Sequence, residues 1–327
     1  MGIIRTANAQ LRELVAYALH VATTPSSVLI HGEAGTGKEV FARGIHAASG
    51  RSGPFVPLNC SVVPEHMFEE ALFGARGGAD TGLTSERPGL FVVAKGGTLF
   101  LDEVADLPPS AQAKLLRAIE DSEIRPIGGA GSVQVDVRVL AATHNSLHRL
   151  VKNGRFRKDL YARLNAASIK LPALRDRPED LAPLIEEALA EACRQQNSSA
   201  RRIDPDALEL LLSYPWPGNV RELNTTIANA VRNSHHEWIC PDDLPDAIGP
   251  RDPQRTNSEL NEMHFFDALE VFERDYMAHL LRRAEGNLSL AARLSGLSRG
   301  TVRNKARRGG LMEGGPAAKR RSRVRKK

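Results

Sequence analysis

Gly32-Glu33-Ala34-Gly35-Thr36-Gly37-Lys38 decides the reading of this chain. An apolar run, Val28-Leu29-Ile30, precedes it, and a helix-compatible stretch from Lys38 to Ala48 follows. Strand, glycine-rich loop and helix in that order make a phosphate-binding loop. Its glycines let successive backbone N–H groups turn inward around phosphate oxygens at a helix N-terminus. Lys38 is placed to reach the terminal phosphates. A second apolar run, Thr98-Leu99-Phe100-Leu101, ends in two acids, Asp102 and Glu103. An acid pair closing a buried strand needs a partner, because buried charge is costly. The pattern assigns Mg²⁺ to Asp102 and the polarisation of water to Glu103. Together the two runs predict ATP binding and hydrolysis.

The chain has 327 residues, 42% of them hydrophobic and 25% charged, enough for a sizeable core in two or three domains. Net charge is +5, and part of the excess is local: seven of the nine residues from Lys319 to Lys327 are Lys or Arg. Such an arm is solvated and suited to touching phosphates, or serves only as a solubilising end. Cys60, Cys193 and Cys240 are widely spaced, with no metal-ligand or disulfide pattern, which fits a reducing compartment. Neither a signal peptide nor an apolar run long enough to span a bilayer is evident, so the expectation is a cytoplasmic protein without a membrane partner.

Residues 1–170 read as alternating strands and helices. Ser27 to Ile30, Phe55 to Leu58, Gly97 to Leu101 and Val135 to Ala141 are the strands; Lys38 to Ala48 and Ser110 to Asp121 are helices between them. Continuous apolar strands favour a largely parallel sheet covered by helices on both faces. Residues 171–245 read as a helical subdomain with helices over Asp180 to Cys193, Asp204 to Ser213 and Val220 to Asn233. Residues 246–264 read as a linker rich in Pro, Asp, Asn and Ser. Residues 265–311 hold three helices, Phe265 to Ala284, Leu288 to Leu294 and Ser298 to Arg308, with one tight glycine turn, and 312–327 form the basic tail.

The phosphate loop departs from the common pattern in one place. Glu39 follows the lysine where a Ser or Thr usually offers a hydroxyl to Mg²⁺, leaving Thr36 or water held by Asp102 to share that work. Thr143, His144 and Asn145 end another candidate central strand, on the edge where such sheets bind ligands. His144 reads equally well as a phosphate sensor or a loop histidine. Arg157 and Arg163 are six apart, which is not same-face helical spacing, and spacing alone leaves them as surface arginines.

A set of local strings is more specific. Gly32 to Glu39, Asn59-Cys60, Glu70 to Gly74, Gly96 to Val104, Ala111 to Arg117, Val135 to Arg138, Phe156 to Asn165, Leu171 to Asp180 and Trp216 to Leu223 recur in order and spacing over residues 1–245. In these the chain resembles the bacterial enhancer-binding proteins, AAA+ ATPases that activate RNA polymerase carrying sigma-54. The resemblance implies an AAA+ P-loop fold followed by a helical lid, with ATP and Mg²⁺ as cofactors. Glu39 is then usual. Gly32, Glu33, Ala34, Gly35, Thr36, Gly37 and Lys38 hold the phosphates, with Arg221 as a second sensor on the lid. By the same resemblance Asp102 and Glu103 serve Mg²⁺ and the attacking water. Asn59 is the switch that holds the catalytic glutamate, and His144 is the first sensor. Arg157 and Arg163 are arginine fingers reaching a neighbouring subunit's nucleotide, which implies a homo-oligomeric ring, typically a hexamer.

The C-terminal residues resemble a Fis-type helix-turn-helix from Phe272 to Arg299, implying double-stranded DNA as a partner. Ser298 is a candidate N-cap, and Arg299, Arg303, Asn304, Lys305 and Arg307 are the polar candidates for the major groove. Arg303 stands where an aromatic is common and Ala306 where Leu is common, an exchange expected to thin the packing beneath this helix.

Two departures limit the resemblance. The family's sigma-54-contact loop has an aromatic at its tip, whereas here the loop reads Gly78-Ala79-Asp80-Thr81-Gly82-Leu83. An aromatic ring is a typical contact anchor, and an aspartate in its place must be desolvated or find a cation. Engagement of sigma-54 polymerase is therefore expected to be weakened, altered or absent. The phosphate loop also begins at Gly32, leaving no room upstream for the sensing domain many such two-component-like regulators carry. That points to a separate regulatory protein, or to a fragment or mis-started reading. Three functions compete: a DNA-bound ATPase that remodels sigma-54 polymerase to activate transcription, a DNA-binding regulator that no longer does so, and an ATPase acting on another protein target.

Overall fold

The computed structural model describes residues 6–76, 87–129, 131–196, 202–234, 237–248, 265–284 and 286–308. The loop 78–83, the basic tail and most of the expected linker lie outside them. The chain divides into two compact units, Met1–Pro250 and Arg251–Lys327.

Five parallel strands form the centre of the first unit: β1 (Val28–His31), β2 (Phe55–Asn59), β3 (Thr98–Asp102), β4 (Arg138–Thr143) and β5 (Ala167–Lys170), in the order β2-β3-β4-β1-β5. Successive side chains point to opposite faces, and both faces are covered. Leu29, Leu99, Leu101, Val139 and Ala141 enter one apolar core; Val28, Ile30, Phe100, Leu140 and Ala142 enter the other. Burial on both sides is why β1, β3 and β4 read as apolar runs.

Helices α1 (Ala9–Ala22) and α2 (Lys38–Ala48) cover the second face. The first face is covered by α3 (Pro109–Glu120), α4 (Leu147–Lys152) and α5 (Lys158–Leu164). The predicted strands and helices are present within one to three residues of their expected bounds. The short helices α4 and α5, edge strand β5 and helix α1 are among the elements that had no sequence prediction. Edge strand β5 is only four residues long, with buried and exposed positions alternating. Helix α1 is set by its cap, where Asn8 Oδ1 accepts the Leu11 amide at 2.9 Å, and by Asp180, whose carboxylate accepts the Ala7 amide at 2.7 Å and the Asn8 amide at 3.2 Å.

The helical subdomain contains α6 (Leu181–Gln195), α7 (Pro205–Ser213) and α8 (Asn219–Asn233) around Trp216, Leu211, Leu223, Ile227 and Val231. Trp216 is 1% exposed, and its indole N–H donates to Leu211 O at 3.0 Å, so its polar edge is satisfied inside the core.

In the second unit, α9 (Phe265–Arg283), α10 (Leu288–Ser295) and α11 (Arg299–Arg308) enclose Met277, Leu280, Ala284, Ala291 and Val302. Asn287 caps α10 by accepting the Ser289 amide at 3.0 Å, and Gly296 closes it in the left-handed region at φ 68°. No helix among the described residues is long and apolar enough to cross a membrane.

Candidate functional site

The carboxyl ends of β1, β2 and β3 open on one edge of the sheet, and residues at and after those ends line a cleft of about 410 Å³ together with Val220 and Arg221 of the lid. Ala34, Gly35, Gly37, Lys38, Glu39, Asn59, Asp102, Glu103 and Arg221 all face it. The loop after β1 needs its glycines. Gly35 and Gly37 have φ 79° and 101°, and a Cβ on Gly35 would lie 2.2 Å from Gly218 O. Lys38 is nearly buried; its Nζ donates to Gly32 O at 3.0 Å and Glu33 O at 3.2 Å and lies 3.4 Å from Glu103 Oε1. Thr36 Oγ1 donates to Glu33 O at 2.8 Å, so its hydroxyl is committed to the loop itself. Glu39 pairs with Arg43 at 2.6 Å, one helical turn on.

Asp102 and Glu103 behave differently although adjacent. Burial, reinforced by the neighbouring Glu103 charge, pushes the Asp102 carboxyl above its ordinary range. Burial acts the same way on Glu103 but is outweighed. The His144 amide donates to Glu103 Oε2 at 3.1 Å, the His144 Nδ1 lies 2.7 Å from the same oxygen, and Lys38 adds a positive charge. The Glu103 carboxyl is therefore held below its usual range and remains ionised. Its backbone sits in the left-handed region at φ 55°, an uncommon conformation for a residue with a side chain and one that concentrates at functional sites.

Asn59 is in register with Asp102 across the β2–β3 pair, but its Oδ1 accepts the Ser61 amide at 2.9 Å. Lys38 and His144 hold Glu103 here. Arg157 and Arg163 lie away from the cleft, at the start and end of α5. Arg157 Nε and Nη2 donate to Asp159 at 3.0 and 2.7 Å, and Arg163 Nε donates to Glu120 Oε1 at 3.0 Å. Both are exposed on the surface.

Sequence reading missed the joint between phosphate loop and lid. Arg175 donates to both Glu33 carboxylate oxygens at 2.6 and 2.8 Å. Asn219 Nδ2 donates to Ala34 O at 3.0 Å and Glu33 Oε2 at 3.2 Å, and its Oδ1 accepts the Leu174 amide at 2.7 Å. Arg175 holds Glu33 down to about 2, with Asn219 helping. Also unread was a second, largely apolar pocket of about 410 Å³ beside the loop, lined by Val40, Phe41, Leu184, Ala188 and Val220, with Arg177 at its wall. Its residues come from three distant segments, and no local pattern marks them.

In the second unit Ser298 Oγ accepts the Thr301 amide at 3.1 Å, as an N-cap of α11 does. Arg299, Arg303, Asn304 and Arg307 are exposed along α11; Lys305 pairs with Glu273 of α9. Val302 and Ala306 are fully buried, so the small alanine is accommodated and Arg303 points to solvent rather than into the core.

Residues 4–170 match the Sigma-54 interaction domain, residues 175–261 the AAA+ ATPase lid domain, and residues 268–308 the bacterial regulatory protein, Fis family. The transcriptional regulatory protein GlrR of Escherichia coli (strain K12) is 40% identical over 297 residues, covering 90% of this chain and 65% of GlrR. The response regulator protein PilR of Pseudomonas aeruginosa is 41% identical over 293 residues, covering 89% of this chain and 66% of PilR. The chain thus spans a little under two thirds of these relatives' length. Among solved structures, NtrX from Brucella abortus in complex with ADP superposes with a TM-score of 0.71 at 33% identity, covering 94% of this chain and 70% of that one. NtrX has also been crystallised in complex with ATP. The chain belongs to the Sigma-54 interaction domain family, with an AAA+ lid and a Fis-family helical module following it in order.

Proposed function

We propose that this chain is an ATP-driven transcriptional regulator: it hydrolyses ATP between subunits of a ring, is held on DNA by its C-terminal module, and acts on RNA polymerase carrying sigma-54. The observation that carries the reading is the convergence of Lys38, at the start of α2, with Asp102 and Glu103, at the end of β3, on one cleft in a chain of this family. The triphosphate lies along residues 32–38, with Lys38 exchanging its loop carbonyls for phosphate oxygens, and the base enters the apolar pocket beside Val40. The donor set fits Mg²⁺, a hard cation held through one or two carboxylates plus phosphate oxygens and water. Asp102 is a half-buried carboxylate whose charge burial disfavours, and a cation relieves that cost. Bound there, Mg²⁺ neutralises charge developing on the phosphates.

Glu103, kept ionised by Lys38 and His144, is the base that orients and deprotonates the attacking water. Asn59 and His144 flank it as switch and sensor, Arg221 approaches from the lid, and Arg157 and Arg163 reach the cleft of the adjacent copy. Measuring ATP hydrolysis by the purified chain and by Lys38→Ala tests the ATPase reading. We expect turnover in the first and no nucleotide binding in the second; equal turnover in both would reject it.

A second reading rests on Asp80. With an acid where the contact loop carries an aromatic anchor, the ring hydrolyses ATP without productive sigma-54 contact. Transcription from a sigma-54 promoter in a purified system separates the two. Activation by the unaltered chain supports the first, and activation only by Asp80→Phe supports the second.

A further inference from the structure

We infer that Asn219 is a positioning residue for Arg221, the joint through which the phosphate loop sets the lid arginine over the nucleotide; this rests on the ATPase reading above. Asn219 is fully buried at the first position of α8, two residues before Arg221. Its side chain joins three segments. Oδ1 accepts the Leu174 amide, where the chain passes from sheet to lid, and Nδ2 donates to Ala34 O and Glu33 Oε2 in the phosphate loop. Beside it the Val220 amide donates to Gly35 O at 3.1 Å, so two consecutive residues of α8 are bonded to two loop carbonyls.

A Cβ on Gly35 would collide with Gly218 O, so only a glycine lets the loop and the start of α8 come this close. On the rim, Arg175 fixes the Glu33 carboxylate whose other contact is Asn219. A neutral amide suits this place, because it supplies both an acceptor for Leu174 and donors for the loop at once. A carboxylate would lose the donors and face Glu33 with like charge. A shift of the loop on phosphate binding therefore reaches the first turn of α8, and with it Arg221, through fixed hydrogen bonds.

The backbone provides a clean variant. Asn219 has φ 54°, a conformation glycine adopts freely, so Asn219→Gly removes the side chain without adding strain. The test is a cycle of four full-length proteins, unaltered, Asn219→Gly, Arg221→Ala and the double variant, each assayed for ATP turnover and for ADP affinity. Turnover by the unaltered chain that Lys38→Ala abolishes establishes the underlying reading; without it that reading has failed, and not merely the joint. We expect Asn219→Gly to lower kcat at least tenfold while ADP affinity stays within threefold, and the double variant to be no slower than Arg221→Ala alone. Multiplying effects in the double variant, unchanged kcat in Asn219→Gly, or an equal loss of kcat and ADP affinity would overturn the inference. If Asn219→Gly does not yield folded protein, Glu33→Gln, at an exposed position, is read in the same cycle. A smaller fall in kcat that is again lost in the Arg221→Ala background supports the joint, and an additive effect rejects it.

Discussion

At the residue scale, two neighbouring acids carry different chemistry because their surroundings differ. Asp102 is a carboxylate that burial and the Glu103 charge push above its ordinary range. Glu103 is one that an amide, an imidazole and an ammonium keep charged. Glu103→Gln is expected to bind ATP with nearly normal affinity while turnover falls roughly 10²–10⁴-fold, the range of a lost general base; single-turnover hydrolysis alongside nucleotide titration checks it. The Glu33–Arg175 pair makes a second prediction, on stability. The Glu33 pKa is depressed from 4.5 to about 2, so its contribution is complete above 4.5 and disappears as pH falls towards 2. Both side chains are nearly half exposed, so solvent screening limits the pair to a small contribution. In urea unfolding, Glu33→Gln should be slightly less stable at neutral pH, and the gap should narrow steadily below pH 4.5. A gap that widens with acid would contradict the assignment.

At the scale of elements, legibility followed burial. β1, β3 and β4 are packed on both faces, and their apolar runs reveal them without further help. β5 sits at the sheet edge with Ser168 and Lys170 exposed, so its four residues carry too little apolar signal to announce a strand. α1 escaped because the carboxylate that organises its start, Asp180, is far away in sequence. The phosphate loop and the acid pair were readable because their chemistry demands a fixed local order of residues. The joint of Glu33, Arg175 and Asn219 was not, since each looks like an ordinary polar residue until the chain brings them together. In α11 the same logic divides the candidates. Arg303 is exposed, whereas Lys305 is engaged with Glu273 inside the module. Arg303→Ala is expected to weaken DNA binding, and if Arg303 holds a phosphate, to reduce the slope of log affinity against log salt by about 1. A titration at several salt concentrations reads both. Unchanged affinity at low salt would remove Arg303 from the interface.

At the scale of the whole molecule, the guanidinium groups of Arg157 and Arg163 lie outside the cleft, on exposed surface. Charge developing on a transferred phosphoryl group calls for such groups close by, and a neighbouring copy can supply them. Arg163→Ala should therefore slow hydrolysis while leaving nucleotide binding and melting temperature nearly unchanged. Mixing it with Lys38→Ala, whose own cleft is empty but whose Arg163 is intact, should restore part of the turnover. No recovery on mixing, in material shown to co-assemble, would argue against a shared site.

The sequence by itself determined the phosphate loop, the acid pair that closes β3, the parallel sheet and the order of its three regions. Each follows from residues adjacent in the chain: glycines where backbone must turn inward, apolar runs where both faces are buried. Only the tertiary structure decided which group holds Glu103, where the lid bonds to the loop, and which arginines are left facing outward. Those outcomes depend on distances between residues up to 186 positions apart, as between Glu33 and Asn219, and such distances exist only once the apolar layers have packed and fixed the polar groups at their edges.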